Sequence, residues 1–514
     1  MVIQAATLEV YLLPSSIWIG DASLTANLFF REDLFGQCPV GRTGIRRTFS
    51  KKKMPLARAA SSTQVLRMTR PPLRATSGSV IKLLEEGWPM AIRMLVTTLI
   101  LILAAVSRCA GQPRAPSHRT CSISPLGMGL DDTNQVLEAI AKCGHGGHTV
   151  LREGLYNITR KMTWDLVNAK VDLHGYLSFV PDIDFWLDAN NTYRVVFIQS
   201  QASWFVITGR DFEVDAHNTG GIQGNGQPWW DFFTNHTRAD GNGRPISLTL
   251  FRVARGSIRN FVIEAQPFWC NTVAESQDVV YDGMKCNASN TNPAFFNMNV
   301  VPNTDGIDTY RSDKISLLNW DITCGDDCLA IKGNSTNILA RNITCRGGNG
   351  IAFGSLGQYA NLTDIVENVL MEDLTMTRIN ASIQPNMQNG VYFKSWDGSI
   401  NGVPPTGGGA GPGFTRNVTT RNVLLDRVNR PTTVSQTNGG HSGDLPSMYK
   451  FEGLHYINWT GTALTNELVN LACSAGANCT DVTFAGFDVS APAGEVPEII
   501  CKNVEAVSGL NCTA

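Results

Sequence analysis

The stretch ISLLNWDITCGDDCLAIKGNSTNILARNITCRGGNGIAF, residues 315–353, decides the fold. It holds four short apolar runs, Ile315–Ile322, Leu329–Lys332, Ile338–Thr344 and Ile351–Phe353, separated by turns of Gly and Asn. The same texture extends upstream through Leu248–Val253, Ser257–Ile263, Asp278–Tyr281 and Phe295–Val301, and downstream through Val366–Met376 and Val391–Lys394. Strands returning at about 20–25 residues per coil match a parallel β-helix, a solenoid in which each coil packs on the next. Asn299, Asn319, Asn342 and Asn368 lie in or beside the runs, where an amide side chain can bond turn backbone. A β-sandwich would favour two-residue hairpin turns, which are not evident. A propeller would need a blade repeat of about 40–50 residues, which is also missing.

Working outward, residues 115–245 read as the first coils plus a cap. Gly221-Ile222-Gln223-Gly224-Asn225-Gly226-Gln227-Pro228-Trp229-Trp230 evokes a nucleotide loop but lacks the G-x-G-x-x-G followed by a helix, and reads as a turn with packed Trp. The Gly/Pro-rich stretch 397–414 is an insertion suited to a rim loop beside a site. The 514 residues are 43% hydrophobic and 17% charged, enough apolar material for a substantial core, and helical patterns with caps are scarce. The fold class is therefore all-β.

The net charge of −2 hides an asymmetry. Residues 1–110 carry 14 Lys and Arg against 6 Asp and Glu, which leaves 28 against 38 for the remainder. Such an acidic body makes no nucleic-acid partner, because nothing would release phosphate counterions. Within the N-terminal segment, Met94–Val106 is an uncharged apolar run of 13 residues followed by small residues. That is short for a bilayer span and fits a signal-peptide core. The reading is a disordered gene-model extension over 1–89, a signal peptide over 90–110 and a catalytic domain over 111–514. The rival is a type II membrane anchor with a cytoplasmic tail; no stable membrane association is expected.

Export is also written in the rest of the chain. N-x-S/T sequons fall at Asn157, Asn190, Asn235, Asn287, Asn334, Asn342, Asn361, Asn380, Asn417, Asn458, Asn478 and Asn511, none of them before residue 110. Eleven of the 13 cysteines also lie beyond residue 110. Close pairs such as Cys328/Cys345, Cys473/Cys479 and Cys501/Cys512 read as disulfides of an oxidising compartment. Eleven is odd, so one thiol is left over. No C-x-x-C occurs and the Cys/His spacings do not suit zinc, so no metal is assigned. His145, His148, His441 and His455 have no motif context and read as structural.

The chemical signal is Asn303-Thr304-Asp305-Gly306-Ile307-Asp308, followed by Cys324-Gly325-Asp326-Asp327-Cys328. Asp305 and the Asp326/Asp327 pair are 21–22 residues apart, about one coil, so they stack on adjacent rungs. Rungs lie about 4.8 Å apart, and like charges so close cannot all ionise freely. One raised carboxyl beside ionised ones is the acid-and-base arrangement of glycoside hydrolysis. On residue types alone, a structural Asp-Gly turn or a calcium site competes.

The order NTDGID, GDDC, CRGGNGIAFGS, YFK resembles the polygalacturonase family, glycoside hydrolase family 28, over roughly residues 115–514. The resemblance implies a right-handed single-stranded parallel β-helix of the pectin lyase type. It also implies a general acid at Asp326, with Asp305 and Asp327 together activating a water for inversion. Asn303 would help orient the site, and Lys394 would contact a substrate carboxylate by a charge-assisted hydrogen bond. Two positions depart from the family pattern, Asn349 where a histidine is usual and Tyr392 where an arginine is usual, and the resemblance counts both with Asn303 and Lys394 among the substrate-binding residues. The sequences GGNGIAFGSLGQY and GVYFKSW are similar to the exo-acting fungal branch. The function expected is a secreted, monomeric exo-hydrolase that needs no cofactor and releases terminal galacturonate from pectic polysaccharide or oligogalacturonides. The alternatives are an exo-rhamnogalacturonan hydrolase or α-L-rhamnosidase, then a pectate lyase, then a non-catalytic carbohydrate-binding β-helix.

Overall fold

The computed structural model describes residues 119–236 and 243–513. The readings of 1–89 as an extension and of 90–110 as a signal peptide lie outside the described residues. So does the start of the catalytic domain at 111–118.

The described chain winds as a right-handed parallel β-helix. A strand feeding a crossover to a parallel neighbour takes the right hand almost without exception. One ladder runs through Met162–Val167, Phe205–Asp215, Leu248–Arg259, Asn271–Ala274, Ile307–Tyr310, Asp327–Ile331, Gly350–Leu356 and Asn389–Trp396, every pair parallel. Two further faces stack in the same manner, for instance Asp313–Thr323 on Ser335–Arg346.

Alternation along each strand sends one set of side chains inward, where identical rungs stack. Ile307, Leu329, Ile351 and Val391 are in register and fully buried, as are Ile331, Phe353 and Phe393. The Phe353 and Phe393 rings are stacked, with centroids 4.5 Å apart. The N-terminal end is covered by the helix Thr133–Cys143, which buries Val136, Ala139 and Ile140 and is tied to the first strand by the disulfide Cys121–Cys143.

Two expectations differ from the structure. Phe295–Val301 is no strand: it is irregular chain after the short helix Pro293–Phe295, and Asn297 and Asn303 adopt left-handed backbone that breaks pairing. Its polar groups are used locally instead, with Asn299 donating to the Gly325 carbonyl (2.8 Å). The glycine-rich turn at 221–226 does lead into a helix, Gly226–Asn235, whose Trp229 and Trp230 are buried. No described helix is long and apolar enough to cross a membrane.

Candidate active site

The irregular loop 296–305 is stitched to the coil above it. Besides the Asn299 bond, the Thr304 hydroxyl donates to the Val301 carbonyl (2.7 Å) and accepts from the Gly325 N–H (2.9 Å). Because Ile307 pairs with Leu329, Asp305 and Asp327 occupy equivalent places on successive rungs. Asp326 precedes Asp327, so the strand alternation and the turn at Gly325 bring all three carboxylates together. One oxygen from each lies within 4.8 Å of the others. That is tighter than the usual gap between two inverting carboxyls, about 6.5–9.5 Å, because rung spacing sets it.

Each carboxyl is held in a different state. Burial and the charges of Asp308, Asp326 and Asp327 push Asp305 well above the usual carboxylate range. One Asp305 oxygen is buried without a hydrogen-bond partner. Burial and the neighbouring Asp327 charge raise Asp326 to about 6. Burial also works against ionised Asp327, but the ammoniums of Lys394 and Lys332 and the Tyr392 hydroxyl outweigh it and hold the group below its ordinary value. A carboxyl kept protonated beside one kept ionised is what acid and base catalysis need.

Asp326 is gripped by neutral donors. The Asn303 N–H and side-chain amide donate to its Oδ2 (3.0 and 3.1 Å), and the Asn349 amide donates to Oδ1 (2.7 Å). Asn349 can hold the carboxyl in place but cannot titrate with it. Gly348 has a φ of +78°, and a Cβ there would stand 2.3 Å from the Asp326 carbonyl oxygen. Only glycine lets this turn close under the acid.

Tyr392 reaches back across two rungs, over Ala352 and Ala330, and its hydroxyl donates to Asp327 Oδ1. Lys394 is no solvated lysine at a strand end. Its ammonium donates to Asp327 Oδ2 (3.0 Å) and to the Tyr392 hydroxyl (3.1 Å), which leaves one proton for another acceptor.

Several further groups went unnoticed in the sequence. Lys332, buried, pairs with buried Asp308 at 3.2 Å and lies over the Trp269 ring. Burial lifts Asp308 to about 7 even though Lys332 pulls it down. Outward alternation from Asp308 and Ala330 would have pointed to Lys332. Arg244 is fully buried between Phe233 and Phe268 and donates to the Pro267 and Pro302 carbonyls and to Asn303 Oδ1 (2.9 Å). Nothing in its sequence context announced it, since its partners lie 23 to 59 residues away.

Asn303, Asp305, Asp326, Asp327, Lys332 and Lys394 line a cleft of about 360 Å³; Asn349 and Tyr392 act on it through Asp326 and Asp327. Its walls are Gln199 and Gln201, Phe268 and Trp269, Ser355, and Pro405 and Thr406 of the Gly/Pro-rich insertion. The walls are fastened to one another: Gln358 donates to the Pro405 and Gly407 carbonyls, and the Gln199 N–H donates to the Tyr359 hydroxyl.

Cys328–Cys345, Cys473–Cys479 and Cys501–Cys512 are disulfides, joined by Cys121–Cys143 and Cys270–Cys286. The leftover thiol among the described residues is buried Cys324, behind Asp326. None of the twelve sequon asparagines is buried.

Against known proteins, the family model described as "Glycosyl hydrolases family 28" matches residues 162–512. The chain is 41% identical to "Putative galacturan 1,4-alpha-galacturonidase A" of Aspergillus niger, over 77% of this chain and 93% of that protein. It is 32% identical to an exopolygalacturonase of Cochliobolus carbonum, over 77% and 86%. Among solved structures, the endo-xylogalacturonan hydrolase of Aspergillus tubingensis superposes with a TM-score of 0.64 at 24% identity, covering 77% of this chain and 99% of that one.

Proposed function

The chain belongs to glycosyl hydrolases family 28, and from that premise we propose that it is an exo-acting hydrolase releasing terminal galacturonate from polygalacturonate. The observation that carries this reading is a walled cleft in which a carboxyl raised to about 6, one held below its ordinary value and two ammoniums converge. Asp326 gives its proton to the glycosidic oxygen as the C–O bond breaks. A water attacks the anomeric carbon from the opposite face and passes its proton to Asp327, the carboxylate held ionised. Asp305, held largely protonated, orients that water from the adjacent rung. A water bonded to two oxygens at about 2.8 Å each spans up to roughly 5 Å, and one oxygen of Asp305 lies within 4.8 Å of one of Asp327. The product leaves with inverted configuration.

Lys394, with its spare proton, and Lys332 supply positive charge for a uronate carboxylate, which a neutral rhamnose would not use. The same ammoniums neutralise the carboxylates that a calcium ion would need. The fastened walls close the cleft to pocket size, which suits a chain end better than a continuous polymer.

Five disulfides fit an oxidising compartment. On our reading the protein is secreted, glycosylated and active as a monomer, with a mature N-terminus between Arg108 and Gln112.

The deciding experiment is product analysis on homogalacturonan and rhamnogalacturonan side by side, with proton NMR of the nascent anomer. Inverted monomeric galacturonate is expected. Mixed oligomers with a rapid loss of viscosity would mean endo action, released rhamnose would move the specificity, and an ultraviolet-absorbing product would mean a lyase.

A further inference from the structure

Outside the cleft, one other cluster of metal-ligating side chains stands together among the described residues: Asp172, His174 and His217. No spacing in the sequence pointed to it, because coil stacking assembles it. Val150 pairs with Asp172 and Asp172 with Asp215, so the ends of three successive strands coincide. His174 and His217 each follow two residues after a paired Asp and therefore meet rung on rung. Their rings stack with centroids 4.4 Å apart and planes 11° apart. The Asp172 carboxylate is bracketed by imidazoles, His148 Nε2 at 2.6 Å and His217 Nε2 at 3.1 Å, with Lys170 at 3.2 Å. His217 is fixed by its own N–H, which donates to Asp215 Oδ1 (2.8 Å). Among the described residues the His174 imidazole makes no hydrogen bond and stacks on His217, so both of its nitrogens are uncommitted there.

We propose that Asp172, His174 and His217 form a binding site for a divalent transition-metal ion, zinc foremost, that clamps the first coils of the solenoid. Two imidazoles and one carboxylate are the donor set that such an ion takes. The three donor atoms lie within 4.8 Å of one another. A tetrahedral zinc ion with bonds near 2.0–2.1 Å holds its ligand atoms about 3.3 Å apart. Closing that difference takes rotation of partly exposed side chains, which tilts the two imidazoles out of their stack so that both aim a nitrogen at the ion. His148, already on Asp172, is placed to orient the carboxylate from behind, as outer partners of metal ligands do. The donors face solvent at 14% and 34% side-chain exposure for Asp172 and His217, so an ion can enter. This site is independent of the hydrolase reading.

The test uses the untagged, mature secreted protein stripped with EDTA, titrated with zinc chloride alone by calorimetry and by thermal melting. One saturable site is expected, with Tm rising by about 2–5 °C at saturation. His174→Ala removes an imidazole whose contact is the stack on His217, so the metal-free Tm should fall only slightly while zinc affinity falls at least about tenfold. His217→Ala should weaken binding likewise, and Asp326→Asn should leave it unchanged. Hydrolysis by His174→Ala should equal that of the parent. The proposal is overturned if zinc does not saturate, if His174→Ala binds as tightly as the parent, or if Asp326→Asn abolishes the site.

Discussion

Two stacks of short polar side chains climb this solenoid, and they behave oppositely. On the outer turns the stack is asparagine: Asn342 donates to Asn319 (2.7 Å), Asn368 to Asn337 (3.2 Å), Asn417 to Asn368 (2.7 Å) and Asn458 to Asn422 (3.3 Å). Each sits in left-handed backbone, which asparagine tolerates. In the cleft the stack is aspartate, with Asp305 and Asp327 at equivalent places on adjacent rungs. An amide both donates and accepts, so it passes a hydrogen bond up the ladder. A carboxylate only accepts, so stacking two of them creates repulsion that Lys394, Lys332 and Tyr392 must offset. One geometry gives rigidity in the first case and displaced protonation, hence reactivity, in the second.

The sharpest break of that contrast is to turn the acid into an amide. Asp326→Asn should lower kcat by roughly 10²–10⁴-fold or more while the melting temperature holds or rises, since a like charge is removed. Retention of more than about a tenth of activity would remove Asp326 as the acid.

Next in size is Lys394→Ala. A charge-assisted hydrogen bond is worth about 1.5–3 kcal/mol, which is roughly a 10–150-fold loss in kcat/KM on polygalacturonate. A methyl-esterified substrate should lose less. Equal losses on both would assign Lys394 to holding Asp327 alone.

Asp326 must be protonated to act, so activity should fall about tenfold per pH unit above a limb near 6. Stability carries the same sign. Asp326, at about 6, and Asp308, at about 7, bind protons more tightly folded than unfolded. Their stabilising contribution is present below the unfolded value near 4 and is lost as pH rises through about 6 to 7. A kcat/KM profile flat from pH 5 to 8 would contradict the Asp326 assignment. Asp327, held low, contributes the reverse: stability present at neutral pH and lost on acidification.

The smallest effect belongs to the asparagine ladder. Asn368→Ala removes two amide bonds at a position with φ of +58°, and should cost about 1–2 kcal/mol in unfolding free energy with kcat unchanged. A comparable loss of activity would mean the two stacks are mechanically coupled.

What the sequence determined by itself is whatever repeats with the coil. A solenoid brings residue i beside the residue about one coil later, so the strands, the Asp305–Asp327 stack and the Cys328–Cys345 bridge are all read as spacings. Phe295–Val301 defeats the same logic, because an apolar run there serves an irregular loop whose course is set by Asn299 and Thr304. Tertiary structure alone decided the contacts that cross coils of unequal length. Tyr392 and Lys394 reach Asp327 over 65 and 67 residues, Arg244 reaches Asn303 over 59, and His217 meets Asp172 over 45. Irregular stretches such as 378–388, between Asp364–Thr377 and Asn389–Trp396, change the sequence distance between coils without changing the rung spacing. Side chains that face one another across the stack therefore share no fixed interval in the chain.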